Sequence, residues 1–208
     1  LRQVLARALA AVPRLRVVAY PDAEDLAAAR PFLSGFGFVE TAGIRSYRAE
    51  LVEVPEAAPA AGLSVRAYRG GDAGLDDAVL ALYRRGFRGH ESVPELTPAA
   101  LTRQLSLPDW RCLLLLEGER PVGLATFSLA GALCSVDFLL VARSHWGSGG
   151  AELLVRSIQR LAIEVGCREI ASAAAASNRA SCALIERTAP GPGRSWVTPR
   201  FTRLCRRP

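Results

Sequence analysis

V-A-R-S-H-W-G-S-G-G-A, residues Val141 to Ala151, follows the apolar run Phe138 to Val141 and leads into an amphipathic stretch. A strand that turns through Gly147, Gly149 and Gly150 into a helix leaves backbone N–H groups uncovered where that helix begins. Such a helix start attracts anions. Strand, glycine turn and helix in this order predict a site for a phosphate-bearing cofactor.

The helix after the turn has its apolar face at Ala151, Leu154, Val155, Ile158, Leu161, Ala162 and Val165. Its outer face pairs Glu152 with Arg156 and Arg160 with Glu164 at i,i+4. No G-x-x-x-x-G-K-[ST] loop is present, which argues against nucleoside triphosphate hydrolysis, and no G-x-G-x-x-G with a ribose-binding acid follows a strand. Gly166 reads as a helix C-cap. His145 either reaches a phosphate or points to water.

Upstream, R-C-L-L-L-L-E and P-V-G-L-A-T-F-S-L read as a hairpin joined by G-E-R, and A-L-C-S-V-D-F-L-L-V as the strand entering the turn. Before the hairpin, L-S-V-R-A-Y is a strand. Asp72 caps a helix to about Arg85, and Thr97 caps a shorter one with Pro98 at its first position. Downstream come a strand over 168–175, a helix over 178–188 and a strand within 194–204.

Near the start, Leu1 to Val12 carries a helical apolar stripe ended by Pro13, so the chain is expected to begin inside an element. L-R-V-V-A-Y from Leu15 is a strand, Asp22 to Gly35 a helix with Asp22 as its N-cap, and Ile44 onward a strand. This order matches that of residues 149 to 204 at near-equal spacing, which favours an internal repeat. Between the halves, V-P-E-A-A-P-A-A-G reads as a linker.

The chain has 208 residues, half of them apolar, enough for a substantial core. No apolar run approaches the roughly 18 residues of a membrane span, and no signal-peptide pattern is present. A cytoplasmic protein with no membrane partner is expected. The five cysteines have no C-x-x-C pair and the chain has only two histidines, which supports neither a disulfide framework nor a metal site. The net charge of +6 comes from scattered arginines without a run of five, so no nucleic-acid partner is expected.

Residues 63 to 208 resemble the GNAT superfamily of acyl-CoA N-acyltransferases. The family's Val-x-Pro-x-x-Arg-Gly-x-Gly-x-Gly/Ala pattern is met by V-A-R-S-H-W-G-S-G-G-A-E-L-L, residues 141 to 154. Its Asn-x-x-Ala/Ser-x-x-Leu-Tyr-Glu-Lys-x-Gly-Phe signature is met by N-R-A-S-C-A-L-I-E-R-T-A-P, residues 178 to 190. The resemblance implies an α/β fold with a mixed, mostly antiparallel sheet flanked by helices. It also implies acetyl-CoA as co-substrate, lying in a splay between the strands at 133–141 and 168–175.

Carried over by position, Leu139 and Val141 supply strand backbone to the pantetheine arm. Arg143, Trp146, Gly147, Ser148, Gly149, Gly150 and Ala151 surround the pyrophosphate, and Asn178 and Ser181 flank the sulfur end. The implied acceptor is an amine on a small molecule or peptide, and a homodimer is left open. P-F-L-S-G-F-G-F at 31–38 resembles the family's closing motif, so residues 1–55 are expected to be a partial GNAT-like half that binds no cofactor, 56–62 the linker and 63–208 the acyltransferase domain. Leu26 stands there in place of Asn178.

Trp146, Ile185, Ala189 and Pro190 depart from the family pattern. Trp146 replaces the Arg or Gln that opens the cradle, with Arg143 as the candidate to compensate. Ile185 replaces a tyrosine that protonates the departing thiolate, and Ala189-Pro190 replaces Gly-Phe. For the base, Asp137 is the one carboxylate on the strand entering the turn, and alternation puts it on the face of Leu139 and Val141. It also reads as a solvated strand acid. His90, Glu91 and Glu95 fall where the family shapes its acceptor pocket, and read equally as surface residues. The expected function is N-acetyl transfer to an amine by direct attack. The alternative is a degenerate GNAT-fold domain used for regulation or interaction.

Overall fold

The computed structural model describes residues 14–19, 21, 25–52, 54, 62–87 and 96–206. The expected helix over Leu1 to Val12, the Asp22 cap, most of the linker, and His90, Glu91 and Glu95 lie outside them. The elements are β1 (Arg14–Ala19), α1 (Leu26–Gly35), β2 (Val39–Glu50), β3 (Leu63–Tyr68), α2 (Ala73–Gly86), α3 (Pro98–Leu105), β4 (Trp110–Glu117), β5 (Arg120–Ala130), β6 (Leu133–Val141), α4 (Gly150–Glu164), β7 (Glu169–Ala175), α5 (Arg179–Thr188) and β8 (Gly193–Arg206). Two compact units divide them. The larger holds Tyr47–Ala173 and Ala183–Arg194, and the smaller holds Leu1–Ser46, Ala174–Cys182 and Ser195–Pro208.

In the larger unit the strand order is β7-β6-β5-β4-β3. β3 through β6 are antiparallel neighbours, and β6 pairs with β7 in parallel. The fold class is as expected: α/β, with a mixed, mostly antiparallel sheet between helices. The leucine run of β4 follows from burial on both faces, since a strand covered twice has no solvent side to make polar. Leu113 and Leu115 pack with α4 residues Leu154, Ile158 and Ala162. Cys112, Leu114 and Leu116 pack with Val79, Leu80 and Tyr83 of α2 and Leu101 of α3.

The helix starts obey their capping residues. Asp72 accepts from Leu75 N at 3.1 Å and Thr97 accepts from Ala100 N at 3.2 Å, each satisfying an orphan amide of the first turn. On α4 the expected face is right through Ala162. Val165 is exposed because the helix stops at Glu164 and Val165 is its C-cap.

In the smaller unit β1 pairs antiparallel with β8, from Arg14↔Arg206 to Ala19↔Phe201. Leu33, Phe38 and Phe201 form its buried cluster. Helix α1 contains Pro31 and starts at Asp25 without a side-chain cap bond. Among the described residues, no helix is long and apolar enough to cross a membrane.

Candidate functional site

Strand β6 reaches its last residue, Val141, opposite Gly123. A single 3₁₀ turn over Arg143–His145 follows, and then Gly147 and Gly149, both at φ +83°. A side chain at either position is strained, so glycine is the residue that lets the chain reverse here at least cost. Gly150 is small for a different reason: a Cβ there would lie 2.5 Å from Leu115 Cδ2 and 3.2 Å from Leu63 Cδ1. The α4 N-terminus therefore sits directly on β3 and β4, which brings its positive dipole end and free amides to the edge of the sheet.

Not every amide of the turn is free. Trp146 N donates to Arg143 O at 3.2 Å, Ser148 N to His145 O at 3.3 Å, and Gly150 N to Ser148 Oγ at 3.3 Å. Of the residues expected around the pyrophosphate, Trp146, Ser148 and Gly150 thus have amides already bonded within the protein. The protein has used these three to hold the turn's own shape. For Gly147, Gly149, Ala151 and Glu152, no protein acceptor outside helix α4 is found among the described residues.

Side chains brace the same turn. His145 Nε2 lies 3.3 Å from Glu117 Oε1 on β4, while its Nδ1 is 2.9 Å from Ser144 Oγ. The ring is 11% exposed and already partnered, so His145 does not simply point to water. Glu117 is held below the usual carboxylate range by Arg120 first and His145 second. Trp146, 69% exposed, turns its indole N–H back onto Val141 O at 2.9 Å. Arg143 lies over the Trp146 ring, 5.7 Å from its centroid. Residues Leu139 to Ala151 are thus brought together on one strand, turn and helix.

Parallel pairing of β6 with β7 covers only Leu133↔Glu169 to Ser135↔Ala171 among the described residues, while β6 continues to Val141. The edge of β6 leading to the turn is left without a strand ladder on that side. Asn178 and Ser181 belong to the smaller unit, where Asn178 Oδ1 accepts from Ser181 N at 3.1 Å and caps α5.

The face of Asp137 is a correction. Thr126 pairs with Phe138 and Phe127 with Val136, so Asp137 is the extra residue of a β-bulge. A bulge breaks the two-residue alternation. Val136, Leu139 and Val141 pack with the α4 cluster, whereas exposed Asp137 accepts from Trp110 Nε1 at 3.2 Å, and Trp110 packs with the α2 and α3 cluster. Although the residue is exposed, partial desolvation of its carboxyl group raises it above its ordinary value, and the Trp110 bond works against that. Beside it on the same face, Phe138 meets Tyr83 at 5.9 Å and Phe87 at 5.3 Å between ring centroids.

A family model for the acetyltransferase (GNAT) family matches residues 76–189, more than half of the chain. The chain belongs to that family. The match spans α2 through α5, and so includes the whole glycine turn of this GNAT chain. A GCN5-related N-acetyltransferase from Sphaerobacter thermophilus is similar over 98% of the chain at 20% identity and a TM-score of 0.74, and the chain spans 64% of that protein's length. A GCN5-related N-acetyltransferase from Kribbella flavida matches 97% of the chain and 72% of its own, at 18% identity and a TM-score of 0.62. An aminoglycoside acetyltransferase from an uncultured soil metagenomic sample, in complex with sisomicin, matches 62% of the chain and 88% of its own, at 16% identity and a TM-score of 0.55. No curated protein matches by sequence.

Two polar features of the GNAT unit escaped sequence reading. Gln159, 2% exposed, donates from Nε2 to Thr188 O at 2.7 Å and ties α4 to the end of α5. Only its position between Ile158 and Arg160 could have hinted that it lay on the buried stripe. Trp110 carried no periodic signal. A cleft of about 420 Å³ lined by Arg69, Asp76, Leu101 and Thr102 lies at the start of α2 rather than at the glycine turn. The four described side-chain thiols, Cys112, Cys134, Cys167 and Cys182, are buried, and burial pushes Cys112 and Cys134 up to about 12.

Proposed function

We propose that the chain carries an acetyl group from acetyl-CoA to the amine of a small molecule or peptide by direct attack, without a covalent enzyme intermediate. The single observation that carries this reading is the α4 start. Gly147 and Gly149 hold left-handed conformations there, and the amides of Gly149, Ala151 and Glu152 keep no protein acceptor outside the helix among the described residues. This donor set suits a pyrophosphate, since backbone N–H groups and the dipole both favour a localised anion. Arg143 adds a guanidinium beside it.

The thioester, when bound, supplies an activated carbonyl. The chain's own residues do the rest. The unladdered edge of β6 offers backbone partners to an extended arm, and Val141 O, although it accepts from Trp146, has a second lone pair. Asp137 accepts the proton of the attacking amine, and its raised carboxyl suits it to that step. Ile185 has no proton to give, so the departing thiolate takes its proton from water or from another group.

Calorimetry with acetyl-CoA tests the first half of this reading, and thiol release across a panel of amines tests the second. Binding in the micromolar range with amine-dependent release supports transfer. The second reading, a domain kept for regulation or interaction, is motivated by Ile185 and by the indole on Val141 O. It predicts no binding at millimolar acetyl-CoA.

A further inference from the structure

We propose that Trp110 is the positioning residue for Asp137: its indole N–H fixes the carboxylate through Oδ2 and leaves Oδ1 to take the proton of the acceptor amine. This rests on the reading of Asp137 as the base. The indole contact is 3.2 Å, and no protein partner for Oδ1 is found among the described residues. An exposed aspartate on a bulge is otherwise free to change rotamer, and a base must hold one geometry to be useful.

The reach of the contact suits an indole. Trp110 opens β4 opposite Ser128, and β5 separates it from β6. Two strand spacings are roughly 9.5 Å. Only a long side chain with a donor at its far edge crosses that gap, and an indole has its single N–H there. The ring is half-buried against the α2 and α3 cluster. Its backbone is held as well, with Trp110 N donating to Leu107 O at 3.3 Å and Trp110 O accepting from Arg111 Nη1 at 2.8 Å.

The converse assignment is that Asp137 merely satisfies a half-buried indole, as tryptophans commonly require. Titration shows that the bond forms in solution, and thiol release above the midpoint separates the two. A donor to the carboxylate favours its charged form, so removing the donor raises the midpoint. Among the described residues, one other titratable group is coupled to Asp137, and Tyr83 and Arg111 lie on the elements beside it. Cys134 lies on its own strand, and its thiol is pushed up by burial first, then by Cys167 and Asp137. Tyr83 lies on α2, raised by burial, and Arg111 on β4 turns to the carbonyls of Pro108 and Trp110. The aligned β5 residues Thr126 and Ser128 do not titrate.

The experiment follows the ¹³C carboxyl resonance of Asp137 against pH in the whole protein and in Trp110→Phe, with Asp137→Asn to assign the signal. The midpoint is expected to move upward in Trp110→Phe, and with an accepted amine, thiol release stays about threefold below that of the unaltered protein even above the midpoint, where the carboxylate is fully charged; full recovery there overturns the positioning role. An unmoved or lowered midpoint overturns the inference. Should Trp110→Phe not fold, the unaltered protein still decides, because the Trp110 indole ¹⁵N–¹H resonance must titrate with the Asp137 midpoint, and a flat indole signal overturns the inference. Full activity in Asp137→Asn sinks the base reading instead.

Discussion

The two irregular places on β6 are built from opposite materials. At its end, the glycine turn presents backbone: its shape comes from Gly147 and Gly149, and its free donors are amides. In its middle, the bulge presents side chains: Asp137 with Trp110 bonded to it, and Phe138 against Tyr83 and Phe87. Under the proposed function, backbone donors would recognise what every acyl-CoA shares, while side chains on a redirected face would fit one acceptor. On that proposal the same strand would serve a constant cofactor and a variable substrate, because substitution at the bulge leaves the turn's amides where they are.

That division breaks if substitutions at one place disturb the other. Asp137→Asn should lower amine-dependent thiol release by roughly a hundredfold or more, while calorimetry finds acetyl-CoA affinity unchanged. A parallel loss of affinity would join the two places into one. Gly149→Val, forced to φ +83° with a branched side chain, should weaken acetyl-CoA by roughly ten- to hundredfold. The Asp137 carboxyl should titrate as before in that variant.

Gly150→Ala sharpens the distinction between shape and packing. Its methyl would meet Leu115, a fully buried core leucine, so the expected loss is about 1–3 kcal/mol of stability, read as a fall in melting temperature. Trp146→Phe keeps a ring for Arg143 but removes the donor to Val141 O, and should cost about 1 kcal/mol by the same measurement.

The smallest effect concerns pH. Glu117 is held down by Arg120 and His145, so its contribution is present above the ordinary carboxylate range and is lost as pH falls through its depressed folded value. Glu117→Gln should flatten that part of the acid limb of a melting-temperature profile, leaving only a small offset at neutral pH.

The turn was legible because glycine spacing and helix periodicity are local. Positive φ needs glycine wherever the chain is folded, and the apolar stripe from Leu154 to Ala162 needs only a core to face. The caps at Asp72 and Thr97 were legible for the same reason. The face of Asp137 was not, since alternation assumes an unbroken ladder and the bulge arises from register against β5. His145 was equally opaque, because Glu117, its partner, sits 28 residues earlier on β4. Even within the turn, sequence could count amides but not say which three the protein would consume itself.

By itself, the sequence determined the strand, turn and helix that carry the GNAT signature, because those depend on backbone conformation and on contacts a few residues apart. Only the tertiary structure decided which amides stay free, which way Asp137 points and that Trp110 reaches it across β5. Those outcomes depend on strand register and on the close seating of α4 over Leu115, quantities fixed by packing among distant residues.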